Sequence, residues 1–270
     1  MEINEDELEI IITDLLDLYG YDFANYSKAS LMRRVRRLIQ LDKFSSFSDF
    51  RKRIKTDGEY IKRFIEQVTV NVTEMFRDSN FYLHLRNKVL PELSAEPFLR
   101  IWHAGCSSGE EVYSMAILLH EAGLLDRTLI YATDINPDVI EEAKKGIFSL
   151  SLMKQYSENY IRSGGVQDFS SYYTAQYSKV IFNERLKQRT IFATHNLVSD
   201  SSFNEFQLIL CRNVLIYFDK ELQDRVLNTF DNSLGTNGFL ALGSKETLRF
   251  SDISNRYLQL SPEKIWQKKR

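Results

Sequence analysis

The stretch AGCSSGEE, residues 104–111, sets Gly105 and Gly109 just before two adjacent carboxylates, Glu110 and Glu111. It follows an apolar run, LRIWHA, that reads as a buried strand, and in an open α/β sheet ligands bind where strands end. Glycine there lets main chain approach a ligand closely, so Gly105 is expected among the cofactor-binding residues. The spacing is G-x-x-x-G, not the G-x-G-x-x-G of a dinucleotide fingerprint, and the acids would repel a phosphate. Glu111 has a second reading: with Ser108 it forms a capping-box pattern that would occupy the carboxylate with the helix start. Other strand ends carry Asp134, in YATDINP, whose two oxygens can take both hydroxyls of a ribose, and Asn196-Leu197 after TIFATH. Arg212 and Asn213 follow FQLILC; an asparagine amide in such a loop can pair with an adenine edge or simply turn the chain.

Together these residues describe a nucleoside pocket with acids in place of a phosphate cradle, suited to a nucleoside bearing positive charge. S-adenosylmethionine fits, with its ribose, its adenine edge, and a sulfonium and amino group that acids attract. No metal site is expected, because His84, His103, His120 and His195 show neither ligand spacing nor a triad partner and read as structural or surface residues. The only cysteines, Cys106 and Cys211, lie far apart at apparent strand ends, which argues against a disulfide framework.

The elements that must position these groups change character along the 270 residues. Leu8, Ile11, Ile12, Leu15 and Leu16 recur at helical spacing, as do Leu31, Val35, Leu38 and Ile39, predicting an all-helical domain over 1–75. A linker helix from Ser79 to Leu90, stopped by Pro91, and a connector fill 76–98. From residue 99 to 270 short apolar runs alternate with helical patterns, which implies a mainly parallel, doubly wound sheet. One helix is bounded by Asn136 as cap, Pro137 at its first position and Gly146 past its end. The stretch at about 147–190 is too long for a simple connection and reads as an inserted, partly β subdomain.

Charge is divided sharply. Residues 1–27 hold eight acids and no Lys or Arg, whereas Lys28 to Arg63 hold twelve basic residues against four acids. Arg33, Arg34, Arg36 and Arg37 sit among Leu31, Val35 and Leu38, so one helix would bury one side and present a cationic one; an acidic partner is expected, nucleic acid being one class to weigh. No apolar run approaches the roughly 18–20 residues of a membrane span, and the acidic start differs from a secretory signal, so a cytoplasmic protein without membrane insertion is expected.

Four segments in order, NVTEMFRD, AGCSSGEEVYSMA, ATDINPDVIEEAKKGIF and CRNVLIYFD with the later NGFLALG, resemble the chemotaxis receptor methyltransferases of the CheR type over nearly the whole chain. The resemblance implies an α/β fold: a doubly wound, Rossmann-like S-adenosylmethionine-dependent methyltransferase domain with a small inserted β subdomain, preceded by an all-α N-terminal domain. It implies methyl transfer to receptor glutamates, leaving methyl esters and S-adenosylhomocysteine. Cofactor contacts then fall on Asn71, Thr73, Arg77, Glu111, Asp134, Asn196, Leu197, Arg212 and Asn213, with Arg77 and Tyr217 near the reacting group. The implied partners are cytoplasmic helices of methyl-accepting chemotaxis receptors, met through the basic segment 28–63, and not nucleic acid. Two features depart from the family: His103 and Gly105 stand where many relatives carry alanine, serine or threonine, and the tail-gripping surface of some relatives has no clear match in SGGVQDFSSYY. The alternatives are a non-catalytic module that binds the same cofactor and a methyltransferase acting on another protein. Amine methyltransferases are disfavoured because CRNVLIYF stands where they carry an Asn/Asp-Pro-Pro-aromatic tetrad, and a nicotinamide oxidoreductase is disfavoured by the glycine spacing.

Overall fold

A computed structural model describes residues 3–69 and 72–269. The chain forms two compact units, one made of the first 69 residues with Leu215–Val226, the other of Val72–Val214 and the chain from Leu227 on.

The first unit is built on α1 (Glu5–Tyr19), α2 (Lys28–Leu41), α3 (Phe47–Thr56) and α4 (Gly58–Val68). Each start has a local cause. Asn4 and Glu7 close a reciprocal capping box on α1, Ser46 caps α3, and Asp57 accepts the Glu59 and Tyr60 N–H groups to cap α4. The apolar stripes of α1 and α2 bury as their spacing requires, except that Leu16 is left exposed. The short segment at 215–226 joins this unit because Phe218 meets the Tyr26 ring edge-on at 5.0 Å and the Asp219 N–H donates to the Asn25 carbonyl.

The second unit opens with α5 (Ser79–His84), a π-helical turn (Leu85–Val89) and α6 (Leu90–Leu93). Pro91 therefore does not end the helix at Leu90 as expected. The chain switches to i→i+5 bonding just before it, and the wide turn accommodates a residue with no N–H to give. There follow β1 (Leu99–Ala104), α7 (Glu110–Glu121), β2 (Thr128–Asp134) and α8 (Pro137–Lys145). The insertion comprises β3 (Ile147–Ser149), α9 (Met153–Arg162), β4 (Tyr173–Gln176) and β5 (Lys179–Phe182). The chain returns through β6 (Thr190–Thr194), β7 (Phe206–Cys211), α10 (Lys220–Ser233), β8 (Leu234–Leu242), β9 (Tyr257–Ser261) and β10 (Ile265–Lys268).

The main sheet has the order β6-β2-β1-β7-β8-β10-β9, parallel from β6 to β8. Strands β1 and β7 are buried along nearly their whole length, as strands covered on both faces must be, which is why they read as continuous apolar runs. The antiparallel hairpin β9–β10 was not expected; β9 is the edge strand, half solvated, and its short mixed sequence hides it. The inserted subdomain is a three-stranded antiparallel sheet, β3-β5-β4, with α9. It is tied to the rest of its unit by the nearly buried Glu121, which accepts from Arg86 at 2.5 Å and from the hydroxyls of Tyr172 and Tyr160. The Asn136 cap, Pro137 and the left-handed Gly146 bound α8 as the sequence implies.

Candidate cofactor site

The ends of β1, β2 and β7 bring Gly105, Glu111, Asp134, Arg212 and Asn213 together, all within the second unit. Asp134, at the last position of β2, is buried; one carboxylate oxygen accepts the Ser107 N–H at 2.9 Å and the other the Asn136 N–H at 3.0 Å. Ser107 reaches this geometry with a left-handed backbone, φ 50°. Burial raises the Asp134 pKa, and the main-chain donors offset part of that rise. Each oxygen keeps a further lone pair for a ligand hydroxyl.

Glu111 lies one residue inside α7, and its partners settle the capping-box question. Ser108 donates to Glu110, not to the helix, and the N-cap residue is Gly109, which makes no side-chain cap. The Glu111 carboxylate instead takes Nδ1 of His103 at 2.9 Å on one oxygen and Nη1 of Arg212 at 3.2 Å on the other. Burial pushes its pKa up, but His103 and Arg212 outweigh that and hold it below the ordinary carboxylate range. His103 is therefore not merely a packed or surface side chain, as its lone position had suggested.

Arg212, just past β7, extends this network. Its guanidinium lies 4.0 Å from the Phe81 ring centroid, donates to Asp78 at 2.6 Å and pairs with Glu111, while its Nε has no partner among the described residues. Asn213 adopts φ 62° and donates its N–H to Glu246, which also receives the Gly243 N–H. Asp78, Ser107, His103 and Glu246 were all missed by sequence reasoning. Only His103, as a departure inside the turn, left a signal.

The glycines of the turn are also required by their surroundings. A Cβ on Gly105 would lie 2.4 Å from Cγ2 of Val214, and one on Gly109 would lie 3.0 Å from Cβ of Ala143. Both glycines have φ between +80° and +100°, so the vacant space is used for packing and for left-handed turns, and a ligand would meet Gly105 only through main chain. In the 72–78 linker, Ser114 receives the Phe76 N–H and Asn159 donates to the Met75 carbonyl. Thr73 and Arg77 are half-buried here, and Arg77 Nη1 donates to the Val72 carbonyl at 3.1 Å. Asn71 lies outside the described residues. The oxygen of Asn196 accepts the Val198 N–H, so that half of its amide turns the chain, and Leu197 follows half-buried. Tyr217 belongs to the first unit, where Arg34 lies 4.7 Å above its ring and its carbonyl accepts the Ser27 N–H.

Fixed charge here is in acidic excess: Asp78, Glu111 and Asp134 stand against Arg212. Asp134 and Glu111 also flank the buried Cys106 thiol, which burial pushes well up and the two carboxylates push further. Buried polar atoms without partners among the described residues, Ser107 Oγ and Arg212 Nε, border the same strand ends. A cationic nucleoside suits this surroundings and a polyphosphate does not.

A mostly parallel sheet in this strand order, with an acid at the end of its second strand, is Rossmann-like, and its family match makes it a methyltransferase domain. The family profile described as CheR methyltransferase, SAM binding domain, matches residues 71–263, and that described as CheR methyltransferase, all-alpha domain, matches residues 6–69. A Pseudomonas putida protein named Cher3 is 47% identical over 97% of this chain and 96% of its own length. A chemotaxis protein methyltransferase of Listeria innocua is 33% identical over 85% of each chain, and one of Borreliella burgdorferi 31% over 92% of this chain and 90% of its own. The chain belongs to the CheR methyltransferase family, and S-adenosylmethionine is its cofactor. Among the described residues no helix is long and apolar enough to cross a membrane.

Proposed function

We propose that the protein transfers the methyl group of S-adenosylmethionine to glutamate side chains of methyl-accepting chemotaxis receptors, in the cytoplasm. The observation that carries the reading is a pair of acids at the sheet's ligand edge: the buried Asp134, at the end of β2, on two main-chain donors for the ribose, and the largely buried Glu111, in the first turn of α7, on His103 and Arg212 for the cationic methionyl end. Asn71, Thr73, Arg77, Gly105, Asn196, Leu197, Arg212 and Asn213 complete the proposed cofactor contacts.

The cofactor supplies a methyl carbon activated by a positively charged sulfur. A glutamate acceptor is already ionised at neutral pH, with a reference pKa of about 4.3, so the chain need not provide a general base. Its residues must align the acceptor oxygen and exclude water. Arg77 is proposed to hold the incoming carboxylate from one side; a two-pronged grip would draw charge from the attacking oxygen. The Val72 carbonyl already takes one of its donors, which supports single-sided contact. Tyr217 is proposed to act near the transferred methyl, and Tyr217→Phe tests whether its hydroxyl matters.

The proposed receptor-docking groups lie on α2. Lys28 pairs with Glu9, Arg51 and Lys55 with Asp14, Arg53 with Asp57, Lys62 with Glu59, and Arg63 with Asp42, so much of the basic segment is balanced within its unit. Arg34 and Arg36 are drawn inward onto the carbonyls of Val68 and Ile3. Arg33 and Arg37, one helical turn apart, stand exposed and carry the cationic face.

Incubating the protein with methyl-labelled S-adenosylmethionine and receptor cytoplasmic fragments tests the function. Label released as methanol in alkali is expected of a glutamate ester. Alkali-stable label would assign the chemistry to an amine, and absence of transfer with intact cofactor binding would favour a non-catalytic module.

A further inference from the structure

His103 has no part in the proposed contacts, yet its side chain is fully buried and aimed at the carboxylate those contacts depend on. The imidazole Nδ1 lies 2.9 Å from Glu111 Oε1, and Nε2, also buried, has no hydrogen-bond partner among the described residues. Among the described residues, one nitrogen thus makes the only polar contact of a ring held in the sheet between Ala132 and Leu210 of the neighbouring strands. A buried ring nitrogen without a partner is costly, so packing alone gives no reason for imidazole at this position.

We propose that His103 is a positioning residue that orients Glu111 for the positively charged amino-acid end of the cofactor. The inference rests on the reading of Glu111 as the ligand of that end. Glu111 has two competitors for its oxygens, His103 on Oε1 and Arg212 on Oε2. While His103 holds Oε1, Arg212 reaches only one oxygen, and the carboxylate keeps a fixed plane with free lone pairs. Without His103, the carboxylate is free to rotate onto Arg212 as a two-oxygen pair, the stronger arrangement, and its charge is spent inside the protein. Asp134 is held by separate bonds, from Ser107 and Asn136, so the nucleoside half of the site does not depend on His103.

This separation makes the test selective. Calorimetry on the full chain compares S-adenosylhomocysteine, which carries the amino-acid end, with 5′-methylthioadenosine, which lacks it. In His103→Leu the affinity for S-adenosylhomocysteine is expected to fall about tenfold or more while that for methylthioadenosine stays within about twofold. His103→Asn, whose amide N–H sits near the place of Nδ1, is expected to restore S-adenosylhomocysteine binding to within about threefold of the parent. If the leucine variant fails to fold, His103→Ser, small and too short to reach Glu111, replaces it with the same expected selectivity. Equal loss of both ligands, no loss of either, or an asparagine variant as weak as leucine would overturn the proposal. Failure of the unsubstituted protein to bind S-adenosylhomocysteine would instead bring down the reading of the site itself.

Discussion

Asp134, at the end of β2, and Glu111, in the first turn of α7, are both largely shielded carboxylates, yet their partners move them in opposite directions. Asp134 has only main-chain N–H donors, so burial prevails and its pKa lies above the ordinary 3.8. Glu111 has Arg212 and His103 beside it, and they prevail over burial. As pH falls, Asp134 therefore takes up its proton at a higher pH than an ordinary aspartate does, and the ribose loses its acceptor. Methylthioadenosine binding, followed by calorimetry against pH, is expected to weaken on acidification at a pH above the ordinary aspartate value. The same shift has a stability sign: the fold binds this proton more tightly than the unfolded chain does, so the Asp134 contribution to stability improves as pH drops through that window. Arg77 tests the chemistry proper. Arg77→Ala is expected to lower turnover at least about tenfold, about 1.4 kcal/mol of barrier, with S-adenosylhomocysteine affinity changed less. Equal losses in both would make it a cofactor residue only.

Among the elements, α7 does most to define the second unit. Its first turn presents Glu111 and its last turn ends in Glu121, which gathers Arg86 from the π-helical turn with Tyr160 and Tyr172 from the insertion. Removing one partner of a buried charge leaves the other stranded, so Glu121→Leu is expected to cost about 3–5 kcal/mol in urea unfolding. Hydrogen exchange in α9 should quicken with it, since the insertion loses its tie. A loss below about 1 kcal/mol would mean that the aromatic packing of Phe76, Tyr160 and Phe169 holds the insertion unaided. The elements also differ in how openly the sequence announces them. Strands β1 and β7 and helix α8 are legible because apolar runs and caps are local signals. The π-helical turn before Pro91 and the hairpin β9–β10 are not, because a bonding register and an edge-strand pairing depend on what the chain packs against.

For the whole molecule, the small net charge of −2 conceals a selective cancellation. Acids of α1 and of the basic segment itself neutralise Lys28, Arg51, Arg53, Lys55, Lys62 and Arg63, leaving the exposed Arg33 and Arg37 of α2 together with Lys43 and Lys52. Docking of an acidic receptor helix there is an exposed electrostatic contact, screened over about 10 Å at 0.1 M salt. Raising salt from about 0.05 to about 0.5 M is thus expected to weaken receptor methylation several-fold, while S-adenosylhomocysteine affinity changes little. Arg33→Glu with Arg37→Glu should reproduce the loss at low salt. A methylation rate indifferent to both changes would remove α2 from the docking surface.

The amino-acid sequence by itself determined whatever depends on neighbours a few residues apart: the cap, proline and glycine that bound α8, the apolar strands, the acid placed at the end of β2, and the family likeness. Only the tertiary structure decided which group faces which. Val214, far along the chain, fills the space that Gly105 leaves open. Phe218 carries the segment 215–226 to the first unit through Tyr26. Glu111 is held by His103 and Arg212 instead of capping its helix. Each of these outcomes depends on a return of the chain from another strand or helix, and the energy of a buried charge or a packed side chain depends on what that return brings beside it.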